Sequence, residues 1–245
     1  MNWNSEKPDE RLPRYQQVHD DLLRRLVSGE WAPDQAIATE AELCVAYGVS
    51  IGTLRKSIDV LVAEGVLTRS QGKGTFVRRP RFDSSLFRFF RFKSKSGELV
   101  RPSAQILSRA IEQPEAIVRG ALKLGPDDQA IHFSRIRLID GQPVLMEEIW
   151  VPLALFKPLA SLPIDEFGDL MYPLYEQRCQ QVVARATETL TVEQATPAVA
   201  ATLEVAPESP VILVHRVASD FGGRPIEWRS TRGAAASFQY QVEIR

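Results

Sequence analysis

Hydrophobic residues change their spacing part-way along this chain. Up to about residue 77 they recur at helical intervals, and beyond about residue 86 they alternate in short runs broken by turn signals. Tyr15, Val18, Leu22, Leu23 and Leu26 make one stripe of a helix over 15–28, which Gly29 ends. Residues 31–37 read as a short crossing piece. Thr39 with Glu42 three residues on is a capping box, so a second helix starts there, with Leu43 and Val45 or Ala46 as its apolar face and Gly48 as its stop. Ser50 can cap a third helix, whose back is Leu54, Ile58, Leu61 and Val62. Gly65 stands where a left-handed C-terminal cap is wanted. Two β-rich pieces, 66–69 and 75–77, flank a hairpin tip of Gln71, Gly72, Lys73 and Gly74. Helix, tight turn, polar-fronted helix and hairpin make a winged helix-turn-helix over 1–79.

The alternating half predicts strands at 86–93 and 103–109, a helix over 114–124, and a hairpin of 130–139 with 144–151 around Asp140-Gly141-Gln142-Pro143. Residues 152–162 read as irregular, and 167–178 as a helix disturbed by Pro173. A strand over 182–192 and a helix from Thr196-Pro197 to about 205 follow. A second hairpin joins 211–219 to 225–232, and 238–244 is a last strand. The fold class is α+β with a largely antiparallel sheet over 86–245, and 80–85 is the linker.

Composition is that of a soluble globular protein: 245 residues, 44% hydrophobic, 25% charged, net charge -1. The overall balance says nothing of nucleic acid, but its distribution does. Residues 65–95 hold nine Lys or Arg against one acid, Asp83, the local footprint of phosphate contact. Beyond Arg81 a solvated basic linker explains the same charges. Cys44 and Cys179 lack metal-site spacing, so no metal or cofactor is expected, and Cys44 reads as a small buried hydrophobe. The polar, acidic N-terminus is no signal peptide, and no apolar run approaches the ~18 residues needed to span a bilayer, so a cytoplasmic protein is expected. His19 reads as an exposed helix residue, and His132 and His215 as core or surface residues of strands.

A polar-fronted helix fits the major groove, where Arg55 can read guanine, and the free N–H groups at its start attract phosphate. Lys73 can reach flanking phosphates from the hairpin tip. The bland alternative is a helix-turn-helix that only packs against protein. The combined spacing of helix, turn, helix and hairpin makes that the weaker reading. Along the chain run Tyr15, Val18, Leu22, Gly29, Trp31, Pro33, Glu40, Leu43, then Tyr47-Gly48-Val49-Ser50, Thr53, Arg55, Leu61, Glu64-Gly65 and residues 71–77, in that order. That order resembles the DNA-binding domain of the GntR family of bacterial transcription regulators. The resemblance implies operator contacts from Thr39 and Glu40, from Ser50, Ile51, Gly52, Thr53, Arg55 and Lys56, and from Gln71, Gly72, Lys73 and Gly74. Family members carry Arg where this chain has Ala41 and Ile51. Both positions contact operator in the family, so the usual operator sequence does not carry over.

The second half resembles the UTRA domain of the HutC branch, through residues 135–152, 196–216 and 222–228. That resemblance implies a chorismate-lyase-like fold, dimerisation and a small-molecule effector. Arg135 and Arg137 are two apart and share one face of a strand. Glu147 lies on the partner strand and Glu227 on the second hairpin. Such a group could hold an anionic metabolite or a zwitterion through Arg forks and carboxylates. Equally, Arg135 and Glu147 could be a cross-strand ion pair worth ~0.2–1 kcal/mol. The resemblance assigns Arg135, Arg137, Glu147 and Glu227 to effector contact. Phospho-sugar-sensing relatives carry Ser-Leu-Tyr where this chain has Asp169-Leu170-Met171, a poor phosphate ligand set. An organic acid or amino-acid-like effector is therefore expected. The function read from the sequence is a regulator, a repressor in class, that binds double-stranded operator as a homodimer under metabolite control. A ligand-independent DNA-binding protein and a chorismate-lyase-like enzyme are the alternatives. The enzyme is disfavoured because the chain has no nucleophile elbow, no phosphate-cradling glycine loop and no His-rich cluster.

Overall fold

A computed structural model describes residues 11–78 and 102–238. The predicted linker, the strand at 86–93 and the cations at 79–95 lie outside the described residues, as does the last predicted strand beyond Phe238. The chain divides into two compact units, Met1–Pro80 and Arg81–Arg245.

The first unit has α1 (Arg14–Val27), α2 (Glu40–Tyr47), α3 (Ile51–Ala63) and a hairpin of β1 (Leu67–Ser70) and β2 (Gly74–Val77). Val18 and Leu22 of α1, Leu43 of α2, and Leu54, Ile58 and Leu61 of α3 meet in its core with Leu67 and Val77. The Thr39 capping box forms in full, and Ser50 Oγ accepts from Thr53 N. Gly48 ends α2 at φ 61°, ψ 38°, the left-handed geometry that lets α3 follow within two residues. The crossing piece does more than cross. Ile37 N donates to Thr75 O at 2.9 Å, and Ala36 bridges Phe76, so it lies along β2 as a further edge of the wing.

Beside Leu43 the apolar face of α2 is completed by the half-buried Ala46, while Val45 is 85% exposed. Two side-chain expectations fail here. Cys44 is only half-buried. His19 is buried, not exposed. Its Nδ1 lies 2.8 Å from Asp20 Oδ1 and its Nε2 3.0 Å from Glu64 Oε2, which ties α1 to the C-terminal end of α3. Nearby, Tyr47 donates to Asp21 Oδ2 at 2.6 Å and accepts from Arg25 Nη1 at 2.7 Å. Burial and the Asp21 carboxylate hold the Tyr47 phenol well above its ordinary pKa.

The second unit has β3 (Ser103–Glu112), α4 (Ala116–Leu122), β4 (Ala130–Ile139), β5 (Gln142–Pro152), α5 (Leu153–Ser161), α6 (Met171–Cys179), β6 (Arg185–Gln194), α7 (Pro197–Leu203), β7 (Pro210–Ser219) and β8 (Pro225–Ala234). The strands form one six-stranded sheet in the order β3-β4-β5-β8-β7-β6, antiparallel at every step. The β4–β5 loop is two residues, not four: Ile139 already faces Gln142, and Asp140 and Gly141 take φ of 49° and 79°. That pair of positive φ values matches the twist of the flanking strands.

Alternation along the strands builds two layers of cover. Ile131, Phe133, Ile149 and Val151 meet Phe156 and Leu159 of α5 and Met171, Leu174 and Tyr175 of α6. Trp150 and Trp228 pack with Val118 and Leu122 of α4, and Val211 and Met146 with Val199, Ala200 and Leu203 of α7. Residues 152–162, expected to be irregular, form α5. Pro158 makes a kink at Phe156 (φ -120°, ψ 23°), and burial of Phe156 and Leu159 holds the two turns together despite it. Helix α6 begins at Met171, so Pro173 falls in its first turn, where its missing N–H costs nothing.

Candidate functional sites

On the first unit, α3 turns Ile51, Gly52, Arg55, Lys56 and Asp59 to solvent, the spacing of one helical face. Each cation of this face has a partner. Arg55 Nε and Nη2 lie 3.0 and 2.9 Å from Glu40 Oε2. Lys56 Nζ sits 3.9 Å above the Tyr15 ring, and Arg69 of β1 pairs with Asp59. Thr53 is half-buried, its N–H held by Ser50. A shallow depression of about 440 Å³ lies at the start of α3, lined by Arg14, Tyr15, Ser50, Gly52, Thr53 and Lys56. Arg14 was not among the expected contacts, and Tyr15 was assigned to the buried stripe. The signal for Tyr15 was its cation–aromatic partnership with Lys56, which needs α1 and α3 side by side. Gln71, Gly72, Lys73 and Gly74 are all exposed at the wing tip, where Gly72 takes φ 71°. Thr39 is exposed, but its side chain is spent on the cap of α2.

On the second unit, Arg135, Arg137, Glu147 and Glu227 come together, all buried, on the face of the sheet that carries α5 and α6. The registers explain it. Arg135 faces Glu147 directly across β4 and β5, and Arg216 faces Arg229 across β7 and β8. Glu147 Oε2 accepts from Arg135 Nε at 2.7 Å and Arg137 Nε at 3.2 Å, and its Oε1 accepts from Arg229 Nη1 at 3.2 Å. Glu227 Oε2 accepts from Arg229 Nη2 and from the Tyr175 hydroxyl, each at 2.7 Å, and its Oε1 from the Tyr172 hydroxyl at 3.1 Å. Arg216 completes the row by binding Glu188 Oε1 and the Tyr172 hydroxyl. Sequence reasoning missed Arg216, Arg229, Glu188 and both tyrosines. Alternation on β7 and β8 put the arginines on strands, but only the sheet order places them beside Glu147.

This group contains the Arg135–Glu147 cross-strand ion pair, one of the two readings the sequence left open, and extends it. Burial alone would raise the Glu147 pKa, and Arg135, Arg137 and Arg229 overcome it and hold the carboxyl well below the ordinary range. Burial, with Arg137 and Arg229 alongside, pulls the Arg135 guanidinium below its ordinary value. Burial and Glu227 push the Tyr172 phenol up to about 12. Four arginines face three glutamates among the described residues, an excess of one positive charge. Arg135 Nη1, Arg137 Nη1 and Arg229 Nε are buried without a hydrogen-bond partner. Arg135 Nη2 lies 2.6 Å from Glu147 Oε2, close enough to pair but outside hydrogen-bond alignment. A buried donor left unmade costs ~1–3 kcal/mol, so three in one cluster are unusual. Asp169 and Met171, the departures noted in the sequence, have other duties. Asp169 Oδ1 accepts from Ala104 N at 2.7 Å, and Met171 is core.

Residues 14–77 match the family described as bacterial regulatory proteins, gntR family, and residues 98–239 match the UTRA domain. The chain belongs to the gntR family and carries a UTRA domain. It is 28% identical over 215 residues to the probable fructoselysine utilization operon transcriptional repressor of Escherichia coli, with 86% of each chain covered. It is 27% identical over 201 residues to the mannosyl-D-glycerate transport/metabolism system repressor MngR of E. coli, covering 82% of each. It is also 28% identical over 218 residues to the repressor NagR of Bacillus subtilis, covering 88% of this chain and 87% of that one. Among solved structures, the ligand-binding domain of a GntR-family regulator from Bordetella bronchiseptica superposes with a TM-score of 0.58 at 24% identity, over 68% of this chain and 99% of that one. PhnF from Mycobacterium smegmatis gives 0.54 at 17% identity, over 93% and 99%. These likenesses place this gntR-family chain among DNA-binding transcriptional repressors, not among enzymes. Among the described residues no helix is long and apolar enough to cross a membrane, and no group of His, Cys, Asp and Glu is arranged to hold a metal.

The three histidines of this gntR-family chain make one clean prediction. His132 repeats the His19 arrangement: its Nδ1 is 2.8 Å from Glu112 Oε1 and its Nε2 2.5 Å from Glu148 Oε2, with the ring stacked 4.0 Å from Trp150. Two carboxylate acceptors require two N–H donors, so each ring is held as imidazolium. Burial lowers both pKa values, and the paired carboxylates outweigh it and raise them. His215 has burial and Arg232 against it, and its pKa falls. Proton NMR titration should therefore show two histidines titrating above, and one below, the ordinary value of ~6.5. The stabilisation from His19 and His132 is full below ~6.5 and is lost as pH rises through their raised folded values. His19→Gln should flatten that fall in the melting temperature of the first unit. A His19 resonance at the ordinary value would rule the clamp out.

Proposed function

We propose that this chain is a homodimeric, cytoplasmic repressor of the HutC branch, controlled by a small organic acid bound among Arg135, Arg137 and Arg229. Its head spans 1–79, its linker 80–85 and its effector and dimerisation unit 86–245. The observation that carries the reading is the set of three buried guanidinium N–H groups without acceptors beside an excess of positive charge. An arginine fork in such a place takes a carboxylate or phosphate edge. Glu147 and Glu227, by contrast, already have both oxygens engaged by arginine and tyrosine donors, so the guanidinium edges are the less satisfied part of the cluster. The acid end of an amino-acid-like effector is thus what the cluster recognises. Two relatives are named for fructoselysine and mannosyl-D-glycerate systems, compounds that both bear a carboxylate, which supports an acid over a neutral sugar.

In this reading two heads meet a palindromic operator, and the acid favours one spacing of the heads over another. Only differential affinity for the two arrangements can do that, with a coupling of ~1–3 kcal/mol. A thermal-shift panel of monocarboxylates, dicarboxylates, amino acids, sugar acids and sugar phosphates tests it. An acid that binds should stabilise the protein by ~2.7 kcal/mol at a hundred times its Kd, and should release operator in a gel shift. Arg137→Gln should remove the response. If nothing in the panel stabilises the protein while operator binding is intact, the ligand-independent reading takes its place.

A further inference from the structure

We infer that Glu40 is a positioning residue for base discrimination, aiming Arg55 of α3 so that one edge of its guanidinium faces the DNA. The inference rests on the DNA-reading surface described above. Glu40 Oε2 alone accepts from both Arg55 Nε, at 3.0 Å, and Arg55 Nη2, at 2.9 Å. Those two bonds occupy the side edge of the guanidinium. The remaining edge, formed by Nη1 and the second N–H of Nη2, is the one that can meet guanine O6 and N7 together. Held by its side, the planar group loses the rotation that would otherwise be frozen on binding.

Other roles for Glu40 do not account for it. The cap of α2 is made by Thr39 and Glu42, whose Oε2 accepts from Thr39 N and Oγ1 at 2.8 Å each, so the Glu40 side chain is not needed there. The Arg55 side chain is 59% exposed and that of Glu40 31% exposed. An ion pair at that exposure adds little to stability, because water screens it and two long side chains must be held still. A carboxylate on a DNA-facing surface also repels phosphate, which lowers affinity for every sequence alike. What Glu40 gives in exchange is orientation: weaker binding everywhere, with sharper preference at one base pair. Lys56, on the same face, rests on an aromatic ring and lacks such an aim, which fits a phosphate contact.

The test uses the full chain and a duplex selected by the wild type from a random library, with each base pair then changed in turn. Wild type and the variants Glu40→Gln, Arg55→Ala and Glu40→Gln/Arg55→Ala are titrated at two salt concentrations. Glu40→Gln should bind scrambled DNA more tightly, with a steeper salt dependence. It should also lose about tenfold of discrimination at the base pair where Arg55→Ala loses it. In the Arg55→Ala background, Glu40→Gln should cost no further discrimination. Full discrimination in Glu40→Gln would overturn the inference, as would an equal and additional loss in the double variant. If Arg55→Ala keeps discrimination at every position, the assignment of Arg55 as a base reader fails first and takes the role of Glu40 with it. Unchanged melting of Glu40→Gln separates lost aim from lost fold.

Discussion

Glu147→Ala should lower the stability of the second unit by about 3–5 kcal/mol, a large share of the ~5–15 kcal/mol that holds a domain folded. The residue is fully buried and is the shared counter-ion of Arg135, Arg137 and Arg229. Removing it leaves three cations facing one another away from water, a larger penalty than losing one hydrogen bond. Glu147→Gln should cost less but still substantially, because the amide accepts one bond and cancels no charge. Urea unfolding followed by circular dichroism measures both. The pH profile supplies a second signature. Because the folded pKa of Glu147 is depressed, its contribution is present above its unfolded value of ~4.3 and is lost as pH falls toward the folded one. Wild type should therefore lose stability on acidification through that window, and the variants should lose less. A Glu147→Ala protein as stable as wild type would remove the charge network as a structural element. Arg135→Ala belongs with these unfolding variants, since Arg135 is fully buried against Glu147. Arg137, held by one bond of 3.2 Å, is the better residue for testing effector binding.

Arg55→Ala should weaken binding to the selected operator by ~1–3 kcal/mol and relax preference at one base pair. Lys73→Ala should weaken binding to all sequences alike and reduce the salt slope by about one. The two differ because of where they stand. Arg55 is aimed from the exposed face of α3 by Glu40, whereas Lys73 is exposed at the wing tip between two glycines. Gel-shift titrations on operator and scrambled duplex at two salt concentrations separate them. Unchanged binding in both variants would be incompatible with a winged-helix surface that uses the recognition helix and the wing.

Much of this protein was legible before any coordinates, and the legible parts share a cause. The capping box at Thr39, the Ser50 cap, the Gly48 stop and the Asp140-Gly141 hairpin are each decided within a few residues, by contacts the chain makes with itself locally. The stripe of Val18, Leu22 and Leu26 and the alternation of Ile131, Phe133 and Arg135 follow from helical and strand periodicity. Even the resemblance to a gntR-family head rests on such local order, and it singled out Arg55 and Lys73 as candidates by number.

What the sequence left open depends on which segments become neighbours. Residues 152–162 read as irregular, and burial of Phe156 and Leu159 against the sheet makes them a helix across Pro158. His19 looked solvated until Glu64, 45 residues later, came to its far side. The pairing of Glu40 with Arg55 needs α2 and α3 fixed at the Gly48 turn. Most of all, the charge cluster was half visible. Arg135 and Glu147 face each other across one hairpin, which local pairing predicts. Arg229 and Glu227 reach them only because β8 inserts between β5 and β7, and no spacing along the chain encodes that order. Whether a charge is solvated, paired or left with an unmet donor is set by what covers it, and cover is a property of the folded whole.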